Sequence, residues 1–455
     1  MAKGKTRAKA QAQAQAVAKW YTNRRRLIQV WAHILLPGAL LLALLAVRVS
    51  GWSWIEEVQH KTFDMFQRVR PRAYEPAPVR VIDIDDESLA RLGQWPWPRT
   101  LVARLVRRLN ELGAAVVSFD VVFAEPDRTS PARVAASWPD TPETRALRGR
   151  VTGLPDHDRI LAQTMKQAGN VVTGFVMVPE DNGIRPGMKA TFAFAGDGPL
   201  AYVYAYGGVV ASLPELEKAA AGNGSFSIVP EPDGIVRLVP LIMRQGQNLL
   251  PTLALEALRV AQGAASYAIK SSGASGAGGF GAHTGISKIK VGRYVAPTDG
   301  RGCMWVYLTA DAPARTIPAW KVFEKDFDRT RVDGGILFVG TSAAGLKDLR
   351  ATPLNPAAAG VEVHANAAEQ ILLGRFLQRP DWAAGAEVLY MLVLGLLLLF
   401  LLPRVGALWC AFLALGGAAG ALAFSWKAFT GKGFLVDPVF PCLTALGVYM
   451  VSSLV

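Results

Sequence analysis

Long apolar stretches with at most one charged residue each lie near both ends of the chain, and none lies between them. The first covers residues 27–49, and its part from Leu27 to Val47 has 21 residues without a formal charge if His33 is neutral. At about 1.5 Å per helical residue, this part spans a hydrocarbon layer of roughly 30 Å. A cleavable signal peptide is the alternative, but its apolar core is shorter, about 7–15 residues. The length favours a permanent transmembrane helix.

Three further apolar stretches lie close together near the end of the chain. They cover residues 384–402, 405–426 and 438–455, and only short polar segments separate them. Pro403-Arg404 is expected to end the first of these helices, since proline interrupts helical hydrogen bonding. The pattern predicts three more membrane crossings joined as helical hairpins, and four crossings in all.

The intervening residues 50–383 alternate short apolar runs with helically spaced apolar positions, which is typical of an α/β domain. A strand is predicted at 79–85, a helix at 100–112 and a second strand at 115–120. A strand, helix, strand unit of this kind makes a right-handed crossover, so we expect these two strands to form a parallel pair. The sequence therefore predicts an α/β domain with a mainly parallel sheet, flanked by four transmembrane helices.

Further elements follow the same alternation along the body. They are predicted as a helix at 159–168, a strand at 170–178, strands at 224–229 and 235–243 around a Pro-Asp-Gly turn, a helix at 250–262, a strand at 336–340 and a helix at 361–373. Two stretches interrupt the pattern. Residues 126–155 are rich in Pro, Arg and Thr, and residues 265–285 are rich in Gly and Ser. Both are predicted to be loop insertions, and both are expected to be mobile.

Charge gives the expected orientation in the membrane. The chain has 49 Lys and Arg against 36 Asp and Glu, a net charge of +13. Eight of these positive charges, and no acid, lie in residues 1–26, so the rest of the chain is nearly balanced. The excess therefore indicates a basic cytoplasmic tail beside anionic lipid and not a nucleic-acid-binding body. With four crossings, residues 50–383 lie outside the cytoplasm and Val455 returns to the cytoplasmic side.

Three cysteines do not form a disulfide framework, because Cys410 and Cys442 lie in apolar stretches and leave Cys303 alone in the body. No Cys-x-x-Cys pair is present, and the spacing typical of structural zinc sites is absent. An exported body of this kind depends on its hydrophobic core for stability.

Acidic residues follow two of the predicted strands. Asp83 and Asp85 end the first strand and Asp120 ends the second. In open parallel sheets ligands bind beyond the carboxyl ends of the strands, and carboxylate oxygens suit Mg²⁺ or Ca²⁺. The alternative, favoured by how often acids cap helices, is that these carboxylates cap the next helix or pair with Arg99.

Two other segments could contribute to a ligand site. The turn containing Thr341 and Ser342 resembles a phosphate-binding turn, but it lacks the lysine of a P-loop and the Gly-x-Ser-x-Gly spacing. His364 has no evident nucleophile beside it, so a core or capping role is favoured for this group. Trp95 to Arg99, with two prolines, is predicted to be a stiff loop. It could cover a pocket or equally plug the sheet edge.

Several segments in order resemble the second class of CHASE-type domains, which are extracellular sensing domains associated with bacterial cyclases and histidine kinases. The segments that carry the resemblance are Thr62-Phe63-Asp64, 78–86, Trp95-Pro96-Trp97-Pro98-Arg99, 113–127, Pro232-Asp233-Gly234 to Pro240-Leu241, 251–256, 338–345 with Asp348, and Pro353 to Asn366. The resemblance covers about residues 63–373, and the flanking single and triple helices are also similar to the family's arrangement. Both insertions are longer than expected for the family.

The resemblance implies a receptor in the bacterial inner membrane, with a periplasmic body and a cytoplasmic output module of the cyclase or histidine-kinase type. It implies no catalytic residues and no cofactor in this chain, and it leaves open which output module is used and whether the natural chain continues past Val455. A two-subunit output favours a homodimer, for which the small residues Gly416 to Gly420 would let membrane helices approach closely, although they could also pack within one subunit.

Two other functions stay open at this point. The chain could be a structural or accessory subunit that uses its outer body to dock onto a partner in a cell-envelope assembly. It could also be an exported enzyme with a metal site at Asp83, Asp85 and Asp120. Neither function involves nucleic acid.

Overall fold

The computed structural model describes residues 34–50, 52–274, 284–310, 312–346 and 348–454. The chain forms two compact units. Met1–Phe63 and Arg379–Val455 make up the first, which we call the helical unit, and Asp64–Gln378 makes up the second, which we call the body. The expected basic tail, residues 1–26, lies outside the described residues.

Among the described residues, helices occur in both units and strands only in the body. The helices are α1 (Ile34–Val49), α2 (Ser53–Val69), α3 (Asp86–Leu92), α4 (Arg99–Glu111), α5 (Pro131–Ala136), α6 (Pro142–Val151), α7 (His157–Ala168), α8 (Pro214–Ala219), α9 (Leu253–Ala261), α10 (Gly360–Leu373), α11 (Asp381–Val405), α12 (Ala407–Lys432) and α13 (Val439–Leu454). The strands are β1 (Val79–Ile84), β2 (Val116–Phe119), β3 (Val171–Val178), β4 (Thr191–Ala195), β5 (Ala205–Tyr206), β6 (Gly208–Val210), β7 (Gly222–Ser225), β8 (Leu238–Pro240), β9 (Ile242–Gln245), β10 (Asn248–Pro251), β11 (Ser266–Ser271), β12 (Ile286–Val291), β13 (Tyr294–Pro297), β14 (Cys303–Trp305), β15 (Thr316–Pro318), β16 (Ile336–Thr341), β17 (Leu349–Arg350) and β18 (Ala358–Ala359).

The largest sheet of the body has the order β15-β1-β16-β2-β3-β6, and β7 also pairs with β3. Every pair in it is parallel except β3 with β6, so the prediction of a mainly parallel sheet is confirmed. The prediction that β1 pairs directly with β2 is wrong, because β16 lies between them. Phe338 of β16 is opposite Val81 on one side and Ser118 on the other. Strand β16 is almost wholly buried, and an apolar strand gains most from a central position, however late it comes in the chain.

Alternate side chains of this sheet pack into two separate hydrophobic clusters. On β16, Ile336 and Phe338 belong to the cluster with α9 and α10, whereas Leu337 and Val339 belong to the cluster with α4 and α7. Because successive strand residues point to opposite faces, helices cover both faces of the sheet. Helix α10 approaches the sheet closely at Gly340, where an added Cβ would lie 2.5 Å from the Cβ of Val361.

The Pro-Asp-Gly turn forms, and the N–H of Glu231 donates to the carbonyl of Ile235 across it over 3.1 Å, but the strands before and after the turn pair with other strands. Gly234 has a φ of +81° and donates its N–H to the carbonyl of Glu231 over 2.8 Å. Strand β7, before the turn, pairs with β3, and β8, after it, pairs with β14. Gly224 of β7 lets α9 approach so closely that a Cβ would lie 2.7 Å from Leu253 Cα. This packing holds β7 in the main sheet.

Smaller sheets complete the body. They have the orders β10-β9-β5, β13-β12-β11-β4, β14-β8 and β17-β18. Residues 265–285, predicted to be a loop, contain β11, and residues 275–283 lie outside the described part of the chain. The prediction of a loop over residues 126–155 is wrong, because α5 and α6 form there. Both helices begin with a proline in the first turn, and α6 also has a reciprocal hydrogen-bonded cap between Thr141 and Thr144. These start signals are local, but the high proline content of the segment made it resemble a loop.

Two helices of the helical unit, α11 and α12, are long and apolar enough to cross a membrane. Within the described residues α1 and α13 are shorter, at 34–49 and 439–454, so the count of four crossings is not confirmed. Helix α11 does not end at Pro403-Arg404 as predicted but continues to Val405. Proline removes one hydrogen bond near a helix end, whereas Gly406, with a φ of +88°, takes the conformation that stops the helix.

Charged groups meet at one buried carboxylate in the helical unit. Glu387 accepts from Arg48, from Arg379 over 2.8 Å, and from the backbone N–H of Asp437 over 2.8 Å. Elsewhere in this unit, Gly417 lies against Leu394 of the same chain. At least this member of the Gly416 to Gly420 run therefore packs within one subunit.

Candidate ligand-binding site

Asp83 and Ser342 are brought together at the carboxyl edge of the main sheet. The backbone N–H of Ser342 donates to Asp83 Oδ1 over 3.0 Å, and its hydroxyl donates to Oδ2 over 2.6 Å. The Thr341 hydroxyl donates to the carbonyl of Ile84 over 3.1 Å. Burial raises the pKa of Asp83, and the hydrogen bonds from Ser342 act in the opposite direction. The donors of the turn that resembled a phosphate-binding turn therefore bind the carboxylate of Asp83. The turn also does not lead directly into a helix, because the next helix, α10, begins only at Gly360.

Asp85 and Asp120 lie in different surroundings. Asp85 caps α3 by accepting the N–H of Ser88 over 2.7 Å, which is the capping role considered above. Asp120 is buried, and its Oδ1 has no hydrogen-bond partner among the described residues. Burial raises the pKa of Asp120 well above its usual range, and the nearby charge of Asp348 adds to this effect.

The carboxylates that lie close enough together to share a cation are not the ones chosen from the sequence. Among the described residues, Asp156, Asp158 and Glu215 place ligand oxygens within 4.8 Å of one another. Asp156 caps α7, and Asp158 pairs with Arg99 over 3.2 Å. Two of the three acids therefore already have structural partners, and Mg²⁺ or Ca²⁺ at Asp83, Asp85 and Asp120 stays a prediction.

The Trp95 to Arg99 segment packs into the body. Trp97 is 1% exposed in the cluster that contains α4 and α7, and its indole donates to the carbonyl of Gly93 over 2.8 Å. Trp95 lies against it edge to face with ring centres 5.6 Å apart. Arg99 starts α4 and stacks over the Phe123 ring at 4.5 Å. These contacts favour the plug over the lid as the role of this loop.

His364 is fully enclosed on α10. Its Nε2 lies 3.3 Å from the carbonyl of Phe226, and its Nδ1 has no hydrogen-bond partner among the described residues. Burial lowers the pKa of His364 to about 4. His364 is therefore neutral at physiological pH and packs as part of the core.

Acidification is expected to destabilise the body through His364. The unfolded chain takes up the imidazole proton below pH of about 6.5, whereas the folded chain does so only near pH 4, so stability is full above this window and falls as the pH drops through it. The expected loss from this group is on the order of 3 kcal/mol. Denaturant unfolding at several pH values measures it. Asp120 contributes with the opposite sign, so we compare wild type with His364→Gln, whose curve should be flatter.

Parallel curves for wild type and His364→Gln would contradict the buried neutral state.

A cavity of about 450 Å³ lies elsewhere in the body, beside the N-terminal half of α10. Its polar lining comes from Arg68, Thr309, Arg315, Thr316, Thr352, Asn355, Glu362 and Asn366, and its apolar lining includes Pro71, Leu308, Leu354 and Val363. Ligand pockets typically have volumes of about 300–1,000 Å³ and combine apolar walls with a few convergent polar groups. The cavity meets this description.

A buried ion-pair network forms part of the cavity and the core behind it. Glu369, 0% exposed, binds both Arg72 and Arg315, the latter over 3.0 Å. Arg315 also donates to the Thr309 hydroxyl over 2.5 Å, and Arg72 donates to the carbonyl of Tyr307 over 2.9 Å. We call Arg72, Arg315 and Glu369 the arginine–glutamate network.

Helix periodicity and one local bridge place these groups together. Glu362, Asn366 and Glu369 are spaced so that they share one face of α10. Arg72 follows the end of α2 and forms an isolated parallel bridge with Thr309. Arg72, Arg315 and Glu369 are not among the site residues predicted from the sequence. The available signal was Glu369 beside the apolar residues Ala367, Ala368, Ile371 and Leu372, since a glutamate is almost never fully buried unless it is paired.

The chain is similar to a known domain family. A family model described as the CHASE2 domain matches residues 39–402, which is most of the chain. No curated protein and no solved structure gives a significant match. The matched residues include the whole body and every residue that lines the cavity.

Proposed function

Since this chain belongs to the CHASE2 family of extracellular sensing domains, found in cyclase- and histidine-kinase-associated receptors, we propose that it is a membrane receptor that responds to a ligand in its body. The CHASE2 domain is sensory and not catalytic. In the full proposal the body lies in the periplasm of a bacterium, and the helices pass the signal across the inner membrane to a cyclase or histidine-kinase module. The observation that carries the ligand-binding part is the cavity beside α10.

Charge and hydropathy support the proposed orientation. The basic residues 1–26 favour the cytoplasmic side, and α11 and α12 are each long enough to cross the bilayer. An even number of crossings returns the chain to the cytoplasm, where an output module would follow. A module that needs two subunits would require a homodimer, and this expectation is part of the proposal.

Chain connectivity supports signal transfer from the cavity walls. Arg68 of α2 lines the cavity, and α2 itself begins in the helical unit, with the boundary between the units after Phe63. Helix α10, which forms another wall, is followed closely by α11. A ligand that binds two arrangements of α2 or α10 unequally would shift their populations, and the linked helices would carry that change.

Filling the cavity should change the output of a receptor chimera. We would join the catalytic domain of a bacterial nucleotide cyclase in frame after Val455 and introduce Ala310→Trp, since Ala310 is exposed and lines the cavity. An indole there occupies ligand space with little cost to folding. We expect cyclase activity in cells to change by about fivefold or more, the lower end of typical allosteric coupling.

The matched control is Ala357→Trp, because Ala357 is also exposed but does not line the cavity. Its activity should equal that of the unmodified chimera. A phosphatase reporter that works only outside the cytoplasm, inserted at Ser275, should be active and would verify the orientation. Equal cyclase rates for all three chimeras, at equal amounts in the membrane, would show that the cavity does not control output.

A further inference from the structure

The arginine–glutamate network contains more positive than negative charge. Arg72 and Arg315 are both 4% exposed and share the single carboxylate of Glu369. The other side chains bonded to these groups, Thr309 and Asn366, are neutral. Within the network one carboxylate therefore serves two buried guanidinium groups, and the charge of Glu75, outside the network, acts on Arg72 more weakly than Glu369 does. A buried charge that is only partly compensated is unfavourable.

The network also has guanidinium N–H groups without acceptors. Arg315 Nε and Arg72 Nη1 are buried and have no hydrogen-bond partner among the described residues. The side chain of Arg315 lines the cavity, although its unused Nε is itself buried. Burial lowers the pKa of Arg72, which shows the cost of keeping this charge away from water. An anion in the cavity would lie beside the Arg315 guanidinium and supply negative charge to the network.

The neutral hydroxyls nearby have other partners. The Thr309 hydroxyl accepts from Arg315 and donates to Asn366 Oδ1 over 3.2 Å. The Thr352 hydroxyl donates to the carbonyl of Asn355 over 2.9 Å. Arg315 is thus the cavity residue with a buried donor still to be satisfied, and it is the group that would orient an anion.

We propose that the cavity binds a small molecule through a carboxylate that Arg315 anchors, an inference that rests on the proposed receptor function. The planar guanidinium fork matches a planar carboxylate. A single negative charge balances the surplus of the network, whereas a phosphate dianion would add a second negative charge near Glu369 and Glu362. The apolar wall formed by Leu308, Leu354 and Val363 fits a short hydrocarbon chain.

Binding of matched probes to the full chain in detergent micelles tests this proposal. The probes are butyrate, its uncharged counterpart butyramide, and inorganic phosphate, each at millimolar concentration, and the readout is the ligand-dependent rise in Tm. We expect butyrate to raise Tm more than either of the other probes. Arg315→Met should bind butyrate at least about tenfold more weakly, because it removes a charge-assisted hydrogen bond.

Two further variants separate anchoring from folding. Arg315→Lys keeps the charge but loses the fork, and should fall between wild type and Arg315→Met. Arg145→Gln, at an exposed arginine outside the cavity, should bind as wild type does. If Arg315→Met does not fold, the comparison of butyrate with butyramide on wild type decides the question.

Several results would overturn the carboxylate inference. They are no rise in Tm with butyrate, an equal rise with butyramide, a larger rise with phosphate, or wild-type binding by Arg315→Met. If one of these occurs while Ala310→Trp still changes the chimera's output, the receptor proposal stands and only the ligand class is wrong. If butyrate binds through Arg315 but Ala310→Trp leaves the output unchanged, the ligand class stands and the receptor proposal fails.

Discussion

Replacing Arg237 with methionine is expected to destabilise the body by about 3–5 kcal/mol, the usual cost of removing one partner from a buried ion pair. Arg237 is 1% exposed and donates two hydrogen bonds of 2.8 Å to the carboxylate of Asp64. It also binds Asp233 over 2.7 and 2.9 Å. Methionine has a similar length but supplies no donor, so the buried carboxylate of Asp64 would lose both bonds. Denaturant unfolding of the full chain in micelles measures the change.

Arg185→Met is the matched control, because Arg185 also donates two hydrogen bonds, each of 2.9 Å, to one carboxylate, that of Asp181, but does so at the surface. Water replaces the lost bonds there, so little change in stability is expected. The double variant Arg237→Met with Asp64→Leu should recover part of the loss, since no buried charge then stays unpaired at Asp64. An Arg237→Met protein as stable as Arg185→Met would show that this pair is not buried as described.

Glu369→Gln should destabilise the body by a similar amount, about 3–5 kcal/mol, because it leaves two buried guanidinium groups without a counter-charge. Glutamine keeps the shape of the side chain, so packing around α10 is little altered. The effect follows from charge alone, since Arg72 and Arg315 both depend on this carboxylate. Unfolding free energies of the single and double variants measure it.

The coupling between Glu369 and Arg315 distinguishes this explanation from a packing defect. In a double-mutant cycle, Glu369→Gln with Arg315→Met should cost clearly less than the sum of the single changes, because one unpaired cation is removed. The exposed pair Arg91 and Glu87 provides the control cycle, for which additive changes are expected. Additive changes at Glu369 and Arg315 would contradict the network.

Elements with a local signal were predicted well from the sequence. Helix α4 was expected at 100–112 and is found at Arg99–Glu111, and β1 was expected at 79–85 and is found at Val79–Ile84. Apolar periodicity over a dozen residues is enough to define such segments. Pairing was predicted less well, because nothing near β1 or β2 indicates that β16 will lie between them. Strand order depends on which surfaces are buried together in the folded chain.

The candidate site shows the same division. The acids after the strands were visible as Asp83, Asp85 and Asp120, but their roles were not. Asp83 accepts hydrogen bonds from Ser342, in a turn more than two hundred residues away along the chain, and Asp85 caps a helix. The arginine–glutamate network was missed because its members are far apart in sequence and each one alone resembles an ordinary surface charge.

The sequence by itself determined that this chain has apolar ends suited to a membrane and an α/β body of the CHASE2 kind. Those properties depend on composition, periodicity and ordered motifs, all of which are read over short distances along the chain. Only the tertiary structure decided that β16 separates β1 from β2, and that Arg72 and Arg315 share Glu369 beside a cavity. The reason is physical: burial and charge pairing depend on distances in space, which are established only when remote segments pack together.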